Sequence, residues 1–274
     1  MKAIQVLRGT TRISITMLVI IFSLPLFFIA DLLPFRYRGS RMPGWLATYL
    51  SRIFNRLFRV QIYCNDVEKL YSHQGFLLSN HMSYLDITVL MALRPVRFLA
   101  AIEVKGRPGI GQMADAVGTV YVDRENSASR REALESIADV FEEKPDPPIV
   151  IYPEGRLGMG DKLFPFKYGA FKLAVEHGIS YMPVAIRYCC PDIAVWRGAI
   201  GESLTDSVWR LAQYRGPLPV EVVLLDPISP SPDDDPVQLA AEAQYAVEEA
   251  LGYPHASVVV EGKERAVIGV TNDR

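Results

Sequence analysis

The chain reads as an α/β protein: a mixed, largely parallel central sheet flanked by helices, preceded by an N-terminal membrane-associated helical hairpin. Three observations predict this. From residue 58 onward, short β-like runs alternate with helix-like runs, the pattern of a sheet with helices packed on it. Several β-like runs are unbroken apolar stretches, such as Ile149-Val150-Ile151, which suits strands covered on both faces. Ahead of them, Ile13 to Ala30 is eighteen residues without a charge, the lower limit for a helix that crosses a bilayer.

Composition sets the frame. The chain has 274 residues, of which 50% are hydrophobic and 22% charged, enough for a sizeable core and not the composition of a disordered chain. The net charge of −2 hides a split: residues 1–60 carry nine Lys or Arg and one acid, Asp31. A basic front end beside apolar sequence points to an anionic membrane surface rather than nucleic acid. The three cysteines, Cys64, Cys189 and Cys190, fit no disulfide framework or zinc spacing and point to a reducing setting. The expected division is a membrane-binding helical segment at 1–58, an α/β domain at 59–262 and a tail at 263–274.

In the first segment Pro25 interrupts the middle of the apolar run, and Lys or Arg flank it on both sides. The positive-inside rule therefore gives no orientation. Next, Trp45 to Arg59 places Leu46, Tyr49, Leu50, Ile53, Phe54, Leu57 and Phe58 at helical spacing, with Arg52, Asn55, Arg56 and Arg59 largely opposite. This pattern fits a basic amphipathic helix lying in the membrane interface, with a helix packed on a core as the plainer reading. Together the two form a hairpin that docks in one leaflet or crosses the bilayer.

The expected strands are 59–63, 75–79, 96–100, 119–122, 148–152, 182–188 and 220–225. The expected helices are 84–93, 127–142, 168–177, 237–251 and a short one around 204–214. Lys144-Pro145-Asp146-Pro147-Pro148 stops the helix at 127–142 sharply.

The chemistry concentrates in Asn80-His81-Met82-Ser83-Tyr84-Leu85-Asp86, between a strand-like and a helix-like run. His81 and Asp86 are a candidate base and its orienter. Ser83-x-x-Asp86 is also a capping box with Asp in place of Glu. The readings are compatible: if Ser83 starts the helix, the Asp86 carboxylate in its first turn can return to the His81 ring. In mid-helix, five residues would put the two side chains about 140° apart. A second constellation, Tyr152-Pro153-Glu154-Gly155-Arg156, follows a buried strand, and ligands of α/β sheets bind at the carboxyl ends of strands. Glycine allows close backbone approach and arginine grips phosphate. A third strand ends in Asp123-Arg124.

With these in order, the chain resembles the lysophospholipid acyltransferase family, best known as 1-acylglycerol-3-phosphate acyltransferases. The first family motif, Asn-His-x-x-x-x-Asp, is matched by Asn80, His81 and Asp86, and the second by the strand ending at Arg124. The third, Phe-Pro-Glu-Gly-Thr-Arg, is met by Tyr152-Pro153-Glu154-Gly155-Arg156, and the fourth, an aliphatic-Pro strand, by Met182-Pro183-Val184-Ala185-Ile186. The run Phe164-Pro165-Phe166-Lys167-Tyr168 resembles the family's segment downstream of the third motif. The Thr of that motif is missing, so Arg156 sits one place early. Where many members carry a Lys before the second motif, this chain has Ala101, with Lys105 or Arg107 as the substitute.

The resemblance implies a glycerolipid acyltransferase fold and acyl transfer from acyl-CoA or acyl carrier protein to 1-acyl-sn-glycerol-3-phosphate, without a cofactor. It implies His81 and Asp86 as catalytic residues, with Arg124, Glu154, Gly155, Arg156, Asn80 and Lys105 as substrate-binding residues. The expected place is the cytoplasmic membrane, active site on the cytoplasmic side. Two alternatives stand beside it: an acyltransferase for another lyso-lipid such as lyso-ornithine lipid, and a non-catalytic lipid-binding protein on the same scaffold. Other signals are weaker. No G-x-S-x-G elbow accompanies Ser83, Gly109-Ile110-Gly111-Gln112-Met113-Ala114 lacks the context of a dinucleotide fingerprint, and His73, His177 and His255 form no metal-ligand pattern with His81.

Overall fold

The computed structural model describes residues 2–107, 109–122, 137–138, 141 and 146–253. Arg124, most of the helix expected at 127–142 and the C-terminal tail lie outside the described residues.

The chain begins with α1 (Lys2–Leu32), a two-stranded ribbon of β1 (Arg36–Tyr37) and β2 (Ser40–Arg41), and α2 (Met42–Leu57). Then come β3 (Val60–Cys64), α3 (Val67–Ser72), β4 (Phe76–Ser79), α4 (Leu85–Leu93), β5 (Arg97–Ala101), α5 (Ile110–Ala116), β6 (Val120–Val122) and β7 (Ile149–Ile151). The chain continues with α6 (Gly169–His177), β8 (Tyr181–Tyr188), α7 (Pro191–Ala194), α8 (Leu204–Gln213), β9 (Leu218–Leu224) and α9 (Pro236–Leu251). Strands β3 to β9 form one seven-stranded sheet in the order β3-β9-β8-β4-β7-β5-β6. Every neighbouring pair is parallel except β8 with β9. This is the mixed, largely parallel sheet the sequence predicts. The helices at 67–72, 110–116 and 191–194 are additions to that expectation, because each is too short to show a clear apolar period.

Strand alternation sorts the core into two layers. On β4 and β8, Leu77, Met182, Val184, Ile186 and Tyr188 turn to one face, where Leu85, Val89 and Leu90 of α4 cover them. Phe76, Leu78, Tyr181 and Ala185 turn to the other, under α6 and α9. All four residues of β4 are buried, since it sits between β7 and β8 with helices on both faces. The same period of two puts Tyr152, one residue past β7, on the α4 face. The loops after β4 and β7 therefore open at one end of the sheet, beside the end of β8.

The N-terminal helices pack on this domain. α1 runs helical through Pro25 and is long and apolar enough to cross a membrane. It is nevertheless tied down: Arg8 donates to the carbonyl of Gln213 (2.8 Å), and Arg12 to those of Ala212 (3.2 Å) and Tyr214 (2.6 Å). Those are terminal carbonyls of α8, the groups a helix leaves unpaired and negative. Arg12 lies over Phe58 while Asp31 pairs with Arg41 at 3.1 Å, so α1 and α2 run antiparallel. Outward, α1 exposes Leu18, Phe22, Phe28 and Leu32.

α2 corrects the simple interfacial picture. Its Gly44, Thr48 and Asn55 are buried. Asn55 donates to the Thr88 carbonyl at 2.9 Å and accepts from the Thr88 hydroxyl at 3.1 Å, and Arg52 holds the Ala92 carbonyl at 2.7 Å. Part of the polar face is thus the seam to α4, and only Arg52, Arg56 and neighbouring positions remain open to solvent.

Candidate active site

β4 ends at Ser79, and the next residue fixes the course of the loop. Asn80 is fully buried; its amide nitrogen donates to the Ile186 carbonyl at 3.0 Å and its oxygen accepts from the Ile186 N–H at 2.8 Å. The side chain thus extends the β4–β8 pairing by one rung. Both ends of its amide are bonded to the backbone, so Asn80 fixes the start of the loop that carries His81.

The chain then bends through His81 and Met82 into α4. Ser83 caps the helix: its hydroxyl accepts from the Leu85 N–H at 3.1 Å and donates to the Ala194 carbonyl at 2.6 Å. Asp86, fully buried in the first turn, reaches back across the bend. Its Oδ2 accepts from His81 Nδ1 at 2.8 Å and from the Met82 and Ser83 N–H groups, each at 2.9 Å. Its Oδ1 accepts from the Tyr188 hydroxyl at 2.7 Å. Capping and orienting are therefore one arrangement, performed by one carboxylate. The carboxylate holds the Nδ1 proton of the ring, which leaves Nε2 as the basic nitrogen. The His81 side chain is 13% exposed, and none of the described residues is bonded to Nε2. The ring stacks on Tyr152 at 3.9 Å between centroids and 14° between planes, which fixes its tilt. Burial raises the Tyr188 phenol well above its ordinary range, so it stays a donor to Asp86.

The second loop supports the first. Glu154, 2% exposed, accepts from the His81 N–H at 2.9 Å with Oε1 and from the Phe164 N–H at 2.8 Å with Oε2. Burial pushes its pKa up to about 7 from 4.5, against the pull of those two N–H bonds. Each oxygen accepts from a backbone N–H, so Glu154 braces the two loops. It spans from the base loop to the segment beyond Gly155. The Gly158 N–H closes the same link by donating to the His81 carbonyl at 2.6 Å. Gly155 has φ +67°, and a Cβ there would lie 2.5 Å from Lys167 Nζ. The glycine serves both the left-handed turn and the approach of that lysine.

The cations lie at this rim. Arg156 is exposed, its guanidinium carbon 3.4 Å from the centroid of the Phe164 ring. Lys167 is exposed beside Gly155, and its N–H donates to the Pro153 carbonyl at 3.0 Å. Lys105, also exposed, sits past the end of β5 with Nζ 5.4 Å from the centroid of Tyr121. Sequence reasoning missed three contributors: Tyr188, the Tyr152 stack and Lys167. Tyr188 ends the fourth motif's strand and Lys167 lies in the Phe-Pro-Phe-Lys run, so both were near signals but carried none themselves. Among the described residues no group of three His, Cys, Asp or Glu gathers around a common metal position.

Comparison with known proteins agrees with this geometry. Residues 61–187 match the family described as Acyltransferase. The lyso-ornithine lipid O-acyltransferase of Pseudomonas aeruginosa is 33% identical over 226 residues, 81% of each chain. The 1-acyl-sn-glycerol-3-phosphate acyltransferase of Neisseria gonorrhoeae is 31% identical over 110 residues, 40% of this chain and 42% of that one. The crystal structure of the 1-acyl-sn-glycerophosphate acyltransferase PlsC from Thermotoga maritima shares the fold, with a TM-score of 0.66 at 17% identity over 92% of this chain and 96% of that one. A buried Asp holding a His at the end of a parallel strand thus occurs here on the scaffold and in the sequence context of lysolipid enzymes, and the chain belongs to the lysophospholipid acyltransferase family.

Proposed function

We propose that the protein transfers a fatty acyl group from a thioester, acyl-CoA or acyl carrier protein, to the free hydroxyl of 1-acyl-sn-glycerol-3-phosphate, giving phosphatidic acid. The observation that carries the reaction type is the His81–Asp86 pair, with Nδ1 on the carboxylate and none of the described residues bonded to Nε2. His81 Nε2 takes the proton of the acceptor hydroxyl as the oxygen attacks the thioester carbonyl. Asp86 stabilises the imidazolium that forms. The carbon–sulfur bond breaks, the thiolate leaves, and the proton on Nε2 passes to it, restoring the neutral ring. The thioester is already activated, so no covalent acyl-enzyme is required. Arg156 and Lys167, beside Gly155, supply positive charge for the acceptor phosphate, with Arg124 and Lys105 as further candidates; an arginine–phosphate bond is worth about 1.5–3 kcal/mol. The exposed apolar side of α1 enters the membrane in which the acceptor resides, while Arg8 and Arg12 keep the helix against the domain.

A second reading has its own support: the match to a lyso-ornithine lipid O-acyltransferase extends over 81% of both chains. It keeps the same base and changes only the acceptor. Thiol release from acyl-CoA, measured with lysophosphatidic acid and with lyso-ornithine lipid, decides between them. Faster turnover of the phosphate-bearing acceptor supports the first reading, and the reverse supports the second. Lipid binding without thiol release from either would overturn the enzymatic reading.

A further inference from the structure

A cavity of about 470 Å³ lies away from the His81 rim, between the open side of α2, the edge strand β3 and the end of α4. Arg52, Arg56 and Arg59 line it on one side; Val60, Ile62, Ala92 and Leu93 line it on the other. None of the ion pairs among the described residues involves these three arginines. Arg52 spends donors on the Ala92 and Leu93 carbonyls and Arg59 one on the Arg215 carbonyl, 3.2 Å away. Those bonds orient the guanidinium groups without neutralising them.

Arg59 gives an independent sign. It follows the C-cap of α2 at φ +61°, the left-handed position that helices ordinarily give to glycine or asparagine. A long branched-charge side chain there costs stability that glycine would not. Backbone strain of this kind gathers at ligand sites. The strain places a third guanidinium group over a cavity that already holds two.

We propose that this cavity binds the phosphate of an anionic phospholipid headgroup, as a site separate from the one that holds the reacting acceptor. Guanidinium groups take phosphate oxygens through paired bonds, and the apolar wall fits the glycerol and upper acyl carbons below them. The cavity is an open groove of about 470 Å³, room for one headgroup, whereas a protein partner needs a broad surface. The neighbouring α1, with its exposed apolar side, supplies the lipid context. The site would hold the domain at a fixed height and orientation on an anionic surface.

The test uses the full chain with phosphatidylglycerol vesicles and phosphatidylcholine vesicles, and the variants Arg56→Gln and Arg59→Gly. Each substitution is expected to weaken partition onto phosphatidylglycerol about fivefold, the effect of one surface charge, and to leave phosphatidylcholine unchanged. Arg59→Gly should melt no lower than the parent, because glycine suits the left-handed backbone. Thiol release in detergent micelles should be unaltered, which separates this site from the His81 rim. Equal partition of parent and variants on phosphatidylglycerol overturns the proposal, as does an equal loss on both lipids. If inorganic phosphate raises the melting temperature through Arg56 while vesicle binding ignores the substitution, the cavity holds a free anion and the lipid assignment fails. If the variants lose turnover only with an acyl carrier protein donor and keep vesicle binding, the groove is a protein surface and the assignment fails equally.

Discussion

Asp86 and Glu154 stand in adjoining loops at one end of the sheet, both nearly removed from solvent and both touching residue 81. They differ in what holds them. Asp86 accepts four bonds, from His81 Nδ1, two N–H groups and the Tyr188 hydroxyl. Glu154 accepts two, from the N–H groups of His81 and Phe164. Four donors hold Asp86 by both of its oxygens, while the two at Glu154 leave burial to push its pKa up to about 7. The first loop carries the proposed base, and the second holds that loop in place with a carboxyl whose pKa burial pushes up to about 7.

The strongest way to break this comparison is to remove the group that both carboxylates serve. His81→Ala should cut acyl transfer by about 10⁴-fold, the upper range for a positioned base, in a protein that still folds, because Asp86 keeps three of its four donors. Near-normal thiol release from a folded His81→Ala protein would end the base assignment. Asp86→Asn comes next. The amide oxygen can keep the His81 bond only with its NH2 turned to the Tyr188 hydroxyl, which must then accept rather than donate. The negative charge that stabilises the imidazolium is lost. A loss of about 10²–10³-fold in kcat is expected, with KM nearly unchanged because Asp86 does not touch substrate. A mainly KM effect would move Asp86 into the binding site.

How much of this was legible beforehand depends on the range of each contact. Central strands such as β4 and β7 were readable because their apolar runs report burial on both faces, and β9 because its apolar residues alternate with more exposed ones. The His81–Asp86 pair was readable because its partners are five positions apart at a strand–helix bend, and the capping pattern marks the bend. The bracing bonds of Glu154 and Asn80 were not legible. Their partners lie 73 and 106 residues away, and nothing local tells an inward-facing amide or carboxylate from a substrate ligand. The seam between α2 and α4 was hidden for the same reason. Asn55 looks like part of a solvated face until Thr88 is brought opposite.

Tyr188 sharpens the count of donors. Tyr188→Phe removes one of the four bonds to Asp86 and leaves the apolar packing of β8. A buried bond to a charged acceptor is worth about 1.5–3 kcal/mol, so stability should fall by an amount in that range. The rate should fall about tenfold, because three donors still hold the carboxylate. Denaturant titration and kcat on the same preparation check both. A stability loss with no kinetic effect would show that the phenol braces the fold and leaves the base untouched.

The smallest effect is the most particular to Glu154. Unfolded, its carboxyl has the ordinary value of 4.5; folded, it stands at about 7. The native state therefore binds the proton more tightly, and between these values it carries more protons than the unfolded state. Its contribution to stability is greatest below pH 4.5, declines as pH rises toward 7, and is level beyond that. Glu154→Gln cannot titrate, so the stability of the parent relative to this variant should drop by about 2–3 kcal/mol between pH 4.5 and 7.5. Activity should move the opposite way. As pH falls through 7, a protonated Glu154 has one oxygen that donates rather than accepts, and either the His81 or the Phe164 N–H loses its partner. The loop then loosens and the base is less well placed. Urea titrations of parent and variant across this range measure the first effect, and thiol release over the same range measures the second. A stability difference that stays flat with pH would show that the two N–H bonds keep Glu154 ionised throughout. The two N–H donors would then outweigh burial at Glu154, and the brace between the loops would not respond to pH.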